Sequence, residues 1–328
     1  MEFRPHPLLR SPHVQTLLSS RLLRGTAGTA ASPAAGGGAG TGVEILPCRD
    51  GVRLQALVDA QPEPAPLVVM IHGWLGGPDS PYMRRASTAL HAAGFSVARL
   101  TLRDHGGTAQ LNEGLFNAAR IGEVVDAVNV LVERHGGAGC GLLGYSLGGN
   151  FVLRLAAHAE TSARVTTALA VCPVLDPEAA VTALDRGWIG YQRYFLRKWR
   201  QAFAEKEAAF PELYDFSTAR RLSLVTTLTD YFVPRHTPYR HAGEYYSHYT
   251  LTRSFFQRLR IPARILATED DPVVPVAHAR ALLGGAGELT LVPYGGHCGF
   301  IEDFRLTSAL ERYLERFFAR HCGRHCGA

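Results

Sequence analysis

The sequence predicts an α/β fold with a mostly parallel central sheet covered by helices on both faces. Short apolar runs alternate with segments in which apolar residues recur at helical spacing. The apolar runs lack polar alternation, which is typical of parallel strands buried on both faces. Predicted strands span residues 43–48, 52–58, 66–72, 95–102, 141–145, 165–171, 263–268 and 289–292. Predicted helices span residues 81–93, 121–134, 149–158, 276–283 and 306–318.

Two segments interrupt this alternation. Residues 25–42 consist only of Gly, Ala, Thr, Ser and Pro, which predicts a flexible connector. We therefore predict an N-terminal segment with its connector at 1–42 and one α/β domain at 43–328. Within that domain, residues 175–260 are rich in Tyr, Arg and Phe. We predict that they form an inserted cap over the carboxyl ends of the strands, where ligands bind in such folds.

Composition excludes several classes of protein. The 328 residues are 46% hydrophobic and 19% charged, with a formal charge of +5, and the basic residues are scattered, so nucleic-acid binding is not predicted. The N-terminus lacks a signal-like apolar run and no stretch is long enough to cross a bilayer. Six cysteines without a framework spacing favour reduced thiols and a cytoplasmic protein. We expect no metal and no organic cofactor, although His321-Cys322 begins a short run that contains zinc-ligand residue types.

The motif Gly144-Tyr145-Ser146-Leu147-Gly148 stands where a predicted strand gives way to a helix. In that context G-x-S-x-G is typical of a nucleophile elbow, a tight turn that exposes the serine hydroxyl above the sheet. The residues two before and two after the serine approach each other so closely that only very small side chains fit. The N-terminus of the following helix favours developing negative charge. Ser146 is therefore the candidate nucleophile.

A serine hydroxyl needs a base to take its proton. His297 follows the last predicted strand on a glycine-flanked loop and is the candidate base. The carboxylate that orients this base should lie between the serine and the histidine in the chain. Asp271 is our candidate for that role. Three further acids remain as alternatives: Asp270, Glu269 and, less favoured, Asp176.

Acyl transfer also needs two backbone N–H groups aimed at the developing oxyanion. The residue after the nucleophile, Leu147, should supply one, and the loop after the first long strand should supply the other through Trp74. We interpret the side chain of His72 as structural. Asp104 and His105 precede the serine, which is the wrong chain order for a triad, so we interpret them as hydrogen-bond partners that fix a loop.

Aromatic side chains in the predicted cap have two interpretations, the lining of an acyl pocket or a small core of the cap itself. The residues concerned are Trp188, Tyr191, Tyr194, Phe195, Tyr245 and Tyr246.

With these motifs in place, the chain resembles the α/β-hydrolase superfamily, and within it the YheT-like hydrolases, which are related to eukaryotic abhydrolase-domain lipases. The likeness runs over nearly the whole chain. Its residues are Phe3 to Leu9, His13 to Thr16, Arg103 to Gly107, Gly144 to Asn150, Tyr245-Tyr246, Asp270 to Pro272 and Gly295 to Phe300. The resemblance implies a Ser-Asp-His triad and esterase or monoacylglycerol-lipase-like activity. The chain departs from the family in two ways. Its glycine-rich connector and divergent insertion put the shape of the pocket, and hence the acyl-chain preference, outside what the resemblance implies. It also lacks the membrane anchor of the eukaryotic relatives, so a soluble protein is expected.

We therefore expect an enzyme that hydrolyses a small-molecule ester or lipid-like substrate through an acyl-enzyme on Ser146. The same triad also serves thioesterases, amidases and acyltransferases, because fold and triad do not fix the acceptor. A protein that binds ligands on this scaffold without turnover is the remaining alternative, and the complete set of candidate residues argues against it.

Overall fold

The computed structural model describes residues 1–21, 41–282 and 288–322. The predicted connector at 25–42 lies outside them except for its last two residues. The strands are β1 (Thr41–Pro47), β2 (Arg53–Asp59), β3 (Leu67–Ile71), β4 (Ser96–Thr101), β5 (Cys140–Tyr145), β6 (Val165–Val171), β7 (Ala263–Thr268) and β8 (Glu288–Val292). The helices are α1 (Pro12–Arg21), α2 (Pro81–Ala92), α3 (Gly122–His135), α4 (Leu147–Ala157), α5 (Pro177–Arg186), α6 (Ile189–Ala209), α7 (Val225–His236), α8 (Ala242–Ser247), α9 (Arg253–Phe256), α10 (Val276–Ala281) and α11 (Ala309–His321).

The strands form one sheet in the order β1-β2-β4-β3-β5-β6-β7-β8. β1 pairs antiparallel with β2, and β2 with β4, whereas every pair from β4 to β8 is parallel. Parallel neighbours require crossover connections, which the helices supply. The predicted mostly parallel sheet is therefore confirmed, and its parallel part places the ends of β3, β5, β6 and β7 at one edge.

Successive residues of the central strand β5 explain the two layers of helices. Leu142 and Leu143 are both fully buried, but on opposite faces of the sheet. Leu142 belongs to the apolar cluster that α3 and α4 share with the sheet. Leu143 belongs to the cluster formed with α2 and α11. Each such side chain contributes roughly 1.5–3 kcal/mol by leaving water, so an apolar run without alternation is what a strand covered on both faces requires.

The observed boundaries differ slightly from the predicted ones. The hairpin predicted at Asp50-Gly51 exists, but its loop is longer than two residues, because the paired strands end at Pro47 and resume at Arg53. The last predicted helix begins three residues late, at Ala309, because the Ser308 hydroxyl caps it by accepting the Leu310 amide at 3.2 Å.

Residues between β6 and β7 contain α5 to α9 and, in the described part of the chain, no strand. This helical segment, which we call the β6–β7 insertion, explains why strand and helix stop alternating in the sequence there. α5 begins with a capped turn, since the Asp176 carboxylate accepts the Ala179 amide at 2.9 Å. The assignment of residues 175–260 as a separate cap remains a prediction.

Candidate active site

Ser146 occupies the sharp turn between β5 and α4. Its backbone has φ 54° and ψ −117°, a region that non-glycine residues rarely adopt. The turn closes only because its neighbours are glycines: a Cβ on Gly144 would lie 2.1 Å from the Gly148 carbonyl oxygen, and one on Gly148 would lie 2.2 Å from the Ile71 carbonyl oxygen. Both positions therefore exclude a side chain larger than that of glycine, as expected from the sequence.

Asp271 and His297 are in direct contact. The Nδ1–H of His297 donates to Asp271 Oδ2 at 2.8 Å, and the two side chains are 14% and 4% exposed. The other carboxylate oxygen of Asp271 accepts the amides of Val273 and Val274 at 2.8 and 2.9 Å. These bonds fix the carboxylate before any ligand arrives, and its contact with Nδ1 leaves Nε2 of the neutral imidazole free to accept a proton.

The environment of His297 favours its protonated form. Burial alone lowers the pKa of the imidazole, but the negative charge of Asp271 and the neighbouring Cys298 outweigh burial, and the net effect raises the pKa to about 9. An opposite charge at hydrogen-bond distance stabilises imidazolium. The neutral imidazole therefore gains population as the pH rises through about 9.

The elbow and the histidine loop share the same edge of the sheet. The Ser146 amide donates to the Val171 carbonyl at 2.9 Å, at the end of β6. The next residue, Cys172, has its sulfur within 4.8 Å of a ring nitrogen of His297. The fold thus brings the serine, the histidine and its carboxylate to the adjoining ends of β5, β6 and β7.

The alternative acids have other partners. Asp270 Oδ1 accepts the Gly296 amide at 2.9 Å, Glu269 forms an ion pair with Arg280, and Asp176 caps α5 and pairs with a histidine of α10. The sequence left these three open, whereas the geometry assigns the contact with His297 to Asp271.

The two amides expected to bind an oxyanion lie beside the same cavity, which Trp74, Ser146 and Leu147 line together. Leu147 begins α4, so its N–H has no partner within the helix. Among the backbone hydrogen bonds of the described residues, neither this amide nor that of Trp74 is a donor. Both are therefore available to an oxygen bound above the serine.

Residues 66–304 match the model of the family described as alpha/beta hydrolase fold. The chain belongs to this family. It is 28% identical over 253 residues, 74% of this chain and 72% of the relative, to the protein of Escherichia coli (strain K12) named "Putative esterase YheT". The resemblance to YheT-like α/β hydrolases expected from the sequence is confirmed.

Solved structures support the fold of this hydrolase. The Pyrococcus furiosus esterase Pf2001 is 15% identical with a TM-score of 0.60, over 87% of this chain and 91% of that one. Est1E from Butyrivibrio proteoclasticus is 16% identical with a TM-score of 0.55, over 85% and 98%. A hydrolase from Pseudomonas aeruginosa PA01 is 22% identical with a TM-score of 0.53, over 86% and 99%. No helix among residues 1–21, 41–282 and 288–322 has the length and apolar character needed to span a bilayer.

The residues interpreted as structural do fix loops of the hydrolase. His72 is fully buried, donates from Nδ1 to the Gly73 carbonyl at 2.8 Å and accepts the Leu102 amide at Nε2; burial lowers its pKa to about 3, so it is neutral. Asp104 accepts the Phe116 amide at 2.7 Å. The Nδ1 atom of His105 forms a hydrogen bond with the Arg103 carbonyl at 2.7 Å, so all three side chains make the hydrogen bonds within loops that the sequence suggested.

Asp104 also has a partner that the sequence did not indicate. Lys206, on α6 of the β6–β7 insertion, is 1% exposed and donates to Asp104 Oδ1 at 2.9 Å. The same ammonium group donates to the carbonyl of Asn112 at 2.5 Å. A lysine is rarely buried unless paired, and this one ties the insertion to the loop after β4.

The N-terminal segment braces the histidine loop. Gln15 is fully buried; its amide nitrogen donates to the Leu9 and Ile301 carbonyls at 2.7 and 2.8 Å, and its oxygen accepts the Ile301 amide at 2.8 Å. Thr16 Oγ1 accepts the His297 amide at 2.9 Å. This role could not be predicted from the sequence. The only signal for it was the His13-to-Thr16 motif, which carried the family resemblance without a stated function.

An apolar cavity of about 130 Å³ opens at the elbow. Its walls combine sheet-edge loops with the β6–β7 insertion. Of the aromatic residues singled out from the sequence, Phe195, Tyr245 and Tyr246 line it. Trp188 is instead 47% exposed, and Tyr191 packs against Val273 and Val274, which lie outside the predicted cap. Lining of the cavity therefore applies to three of these residues, whereas a core confined to the cap is not what Trp188 and Tyr191 form.

Proposed function

We propose that this hydrolase cleaves carboxylic esters through an acyl-enzyme intermediate. Ser146 Oγ attacks the ester carbonyl carbon while His297 takes its proton, and the N–H groups of Trp74 and Leu147 hold the oxyanion. His297 then protonates the departing alkoxide. Water attacks the acyl-enzyme by the same route, with His297 again as base, and releases the carboxylic acid and free Ser146.

The observation that carries this proposal is the 2.8 Å contact between His297 and Asp271 at the edge where Ser146 stands. A carboxylate that fixes the imidazole and stabilises imidazolium is what a serine nucleophile needs for activation. The name of the E. coli relative, which refers to an esterase, supports ester over amide as the bond cleaved. We also propose a cytoplasmic location, on the pattern of cysteines in the sequence.

The cavity supports a short to medium acyl chain. A closed apolar cavity of similar size, about 150 Å³, holds one benzene molecule, so a volume of about 130 Å³ fits an acyl chain of about six carbons. The lining includes Trp199 and Phe232 from the β6–β7 insertion, so we propose that this insertion is the cap that limits chain length. A monoacylglycerol with a long chain requires these walls to move.

Hydrolysis of p-nitrophenyl esters of graded acyl length tests the proposal. We expect kcat/KM to peak at medium chain length and to fall about 10⁴- to 10⁶-fold in folded Ser146→Ala. Phe232→Ala should move the peak to longer chains, whereas Phe255→Ala, which removes a buried phenylalanine outside the cavity lining, should not. Equal activity of wild type and Ser146→Ala refutes the mechanism. An unchanged chain-length profile in Phe232→Ala refutes the acyl site.

A further inference from the structure

Two cysteines that take no part in the proposed reaction lie against the candidate base. Cys172 follows β6 and Cys298 follows His297 in the chain; their side chains are 2% and 5% exposed. The two sulfurs and a ring nitrogen of His297 all lie within 4.8 Å of one another. This cluster was not predictable from the sequence, because the two thiols are far apart in the chain and sit in different loops.

This set of donors is characteristic of a soft divalent metal. Two thiolates and one imidazole are the protein ligands of one class of catalytic zinc site, in which water fills the fourth position. In a tetrahedral site, Zn–S bonds of about 2.3 Å and Zn–N bonds of about 2.0–2.1 Å place the donor atoms roughly 3.5–4 Å apart. The three donor atoms lie within 4.8 Å of one another, so only a small movement of the side chains is needed to reach the spacing of a tetrahedral site.

A bound zinc ion supplies the positive charge that deprotonates its thiol ligands. Deprotonated sulfur is the form that binds metal. Asp271 holds the ring of His297 at 2.8 Å, in the way that carboxylates orient metal-bound histidines.

We infer that Cys172, His297 and Cys298 form an inhibitory zinc site in this hydrolase. Binding releases the thiol protons and leaves a zinc ion on two thiolates and the imidazole. Metal on one ring nitrogen blocks proton transfer from Ser146, and metal on the other displaces Asp271, so catalysis stops in either case. The inhibition rests on the proposed function, whereas the binding does not.

Zinc titration of ester hydrolysis and cobalt absorption test the inference together. We expect Zn²⁺ to inhibit the wild type and a chelator to restore activity. Cys298→Ser and Cys172→Ser should each need at least about 10-fold more zinc for half inhibition. Removal of a group that only supports a metal ligand already weakens metal binding by about 10-fold or more, and removal of a ligand should weaken it at least as much. Cys326→Ser, which removes a thiol from the C-terminal sequence, should keep the wild-type sensitivity.

Cobalt(II) gives a readout independent of turnover, because thiolate coordination produces a charge-transfer band in the near ultraviolet. We expect the band in the wild type and in Ser146→Ala, and its loss in folded Cys298→Ser. Retention of the band in Cys298→Ser and Cys172→Ser, or its absence from folded Ser146→Ala, overturns the inference. Absence of ester hydrolysis with the band present overturns the proposed function and leaves the metal site standing.

Discussion

Replacement of Asp271 by asparagine should lower the pKa of His297 and slow the reaction at the same time. The raised pKa of about 9 against the ordinary 6.5 corresponds to roughly 3 kcal/mol in favour of imidazolium. Burial opposes the charged ring, and the interactions with Asp271 and Cys298 outweigh burial. Loss of one charge at hydrogen-bond distance shifts a pKa by about 1 to 3 units. An asparagine also favours the wrong tautomer, which costs about 10⁴ in kcat in a serine protease.

The sign of the pH dependence follows from the base being active when neutral. In the wild type, kcat/KM should rise with pH until His297 has lost its proton near pH 9. In Asp271→Asn the rise should come at lower pH and end at a far lower plateau. The pKa can be read directly from the His297 ring resonance, identified as the signal missing from His297→Asn.

Asp270→Asn is the matched control, because the Asp270 carboxylate accepts the Gly296 amide at 2.9 Å, whereas the hydrogen bond to the His297 ring belongs to Asp271. We expect that variant to keep both the ring pKa and most of the activity. Equal pKa values in wild type and Asp271→Asn, or an equal fall in both variants, would refute the assignment of Asp271.

Three further predictions concern the supports of the site. Thr16→Val removes the acceptor of the His297 amide and should lower kcat about 2- to 10-fold, with KM nearly unchanged and rescue by Thr16→Ser. Lys206→Met leaves the buried carboxylate of Asp104 without its ion pair. We expect the free energy of unfolding, measured in urea, to fall by about 3–5 kcal/mol. In Gly148→Ala the new Cβ would lie 2.2 Å from a backbone oxygen, and we expect the free energy of unfolding to fall by more than about 4 kcal/mol. In Gly137→Ala the new Cβ has nothing within 4 Å, and we expect a fall of about 0.5 kcal/mol or less.

Each of these predictions has a contradicting result. An unchanged kcat in folded Thr16→Val means that the N-terminal brace does not position the base. A loss below about 1 kcal/mol in Lys206→Met means that the ion pair is not the anchor of the insertion. Similar unfolding free energies for the two glycine variants mean that the elbow relaxes more easily than its contacts indicate.

The sheet and the elbow could be predicted from the sequence because the signals are local. An apolar strand reveals its burial within five or six residues, as β5 does. Two glycines flanking Ser146 identify the turn, since the contacts that forbid a Cβ there involve residues of the motif itself and the adjoining strand end.

The sequence favoured Asp271 but could not exclude the neighbouring acids. Asp270 and Asp271 differ by one position, and only the turn that binds Asp271 Oδ1 to the Val273 and Val274 amides decides which carboxylate reaches His297. The order of catalytic residues along the chain places the acid in this loop, but it does not show which of the adjacent carboxylates contacts the histidine.

Contacts between distant parts of the chain were beyond sequence reasoning for a different reason. Lys206 is surrounded by charged and aromatic residues in a long helix, which predicts a solvated position, and its burial depends on Asp104 on another element. Gln15 and Thr16 likewise gain their roles only when the fold brings residues 296–301 against them.

Covalent labelling with a fluorophosphonate, followed by mass mapping of the modified peptide, tests the central claim most directly. We predict one label, on Ser146, in the wild type, and a reaction slowed by orders of magnitude in folded His297→Asn, because the hydroxyl then keeps its proton. A label on another residue, or labelling of Ser146 at the wild-type rate in His297→Asn, would contradict the account.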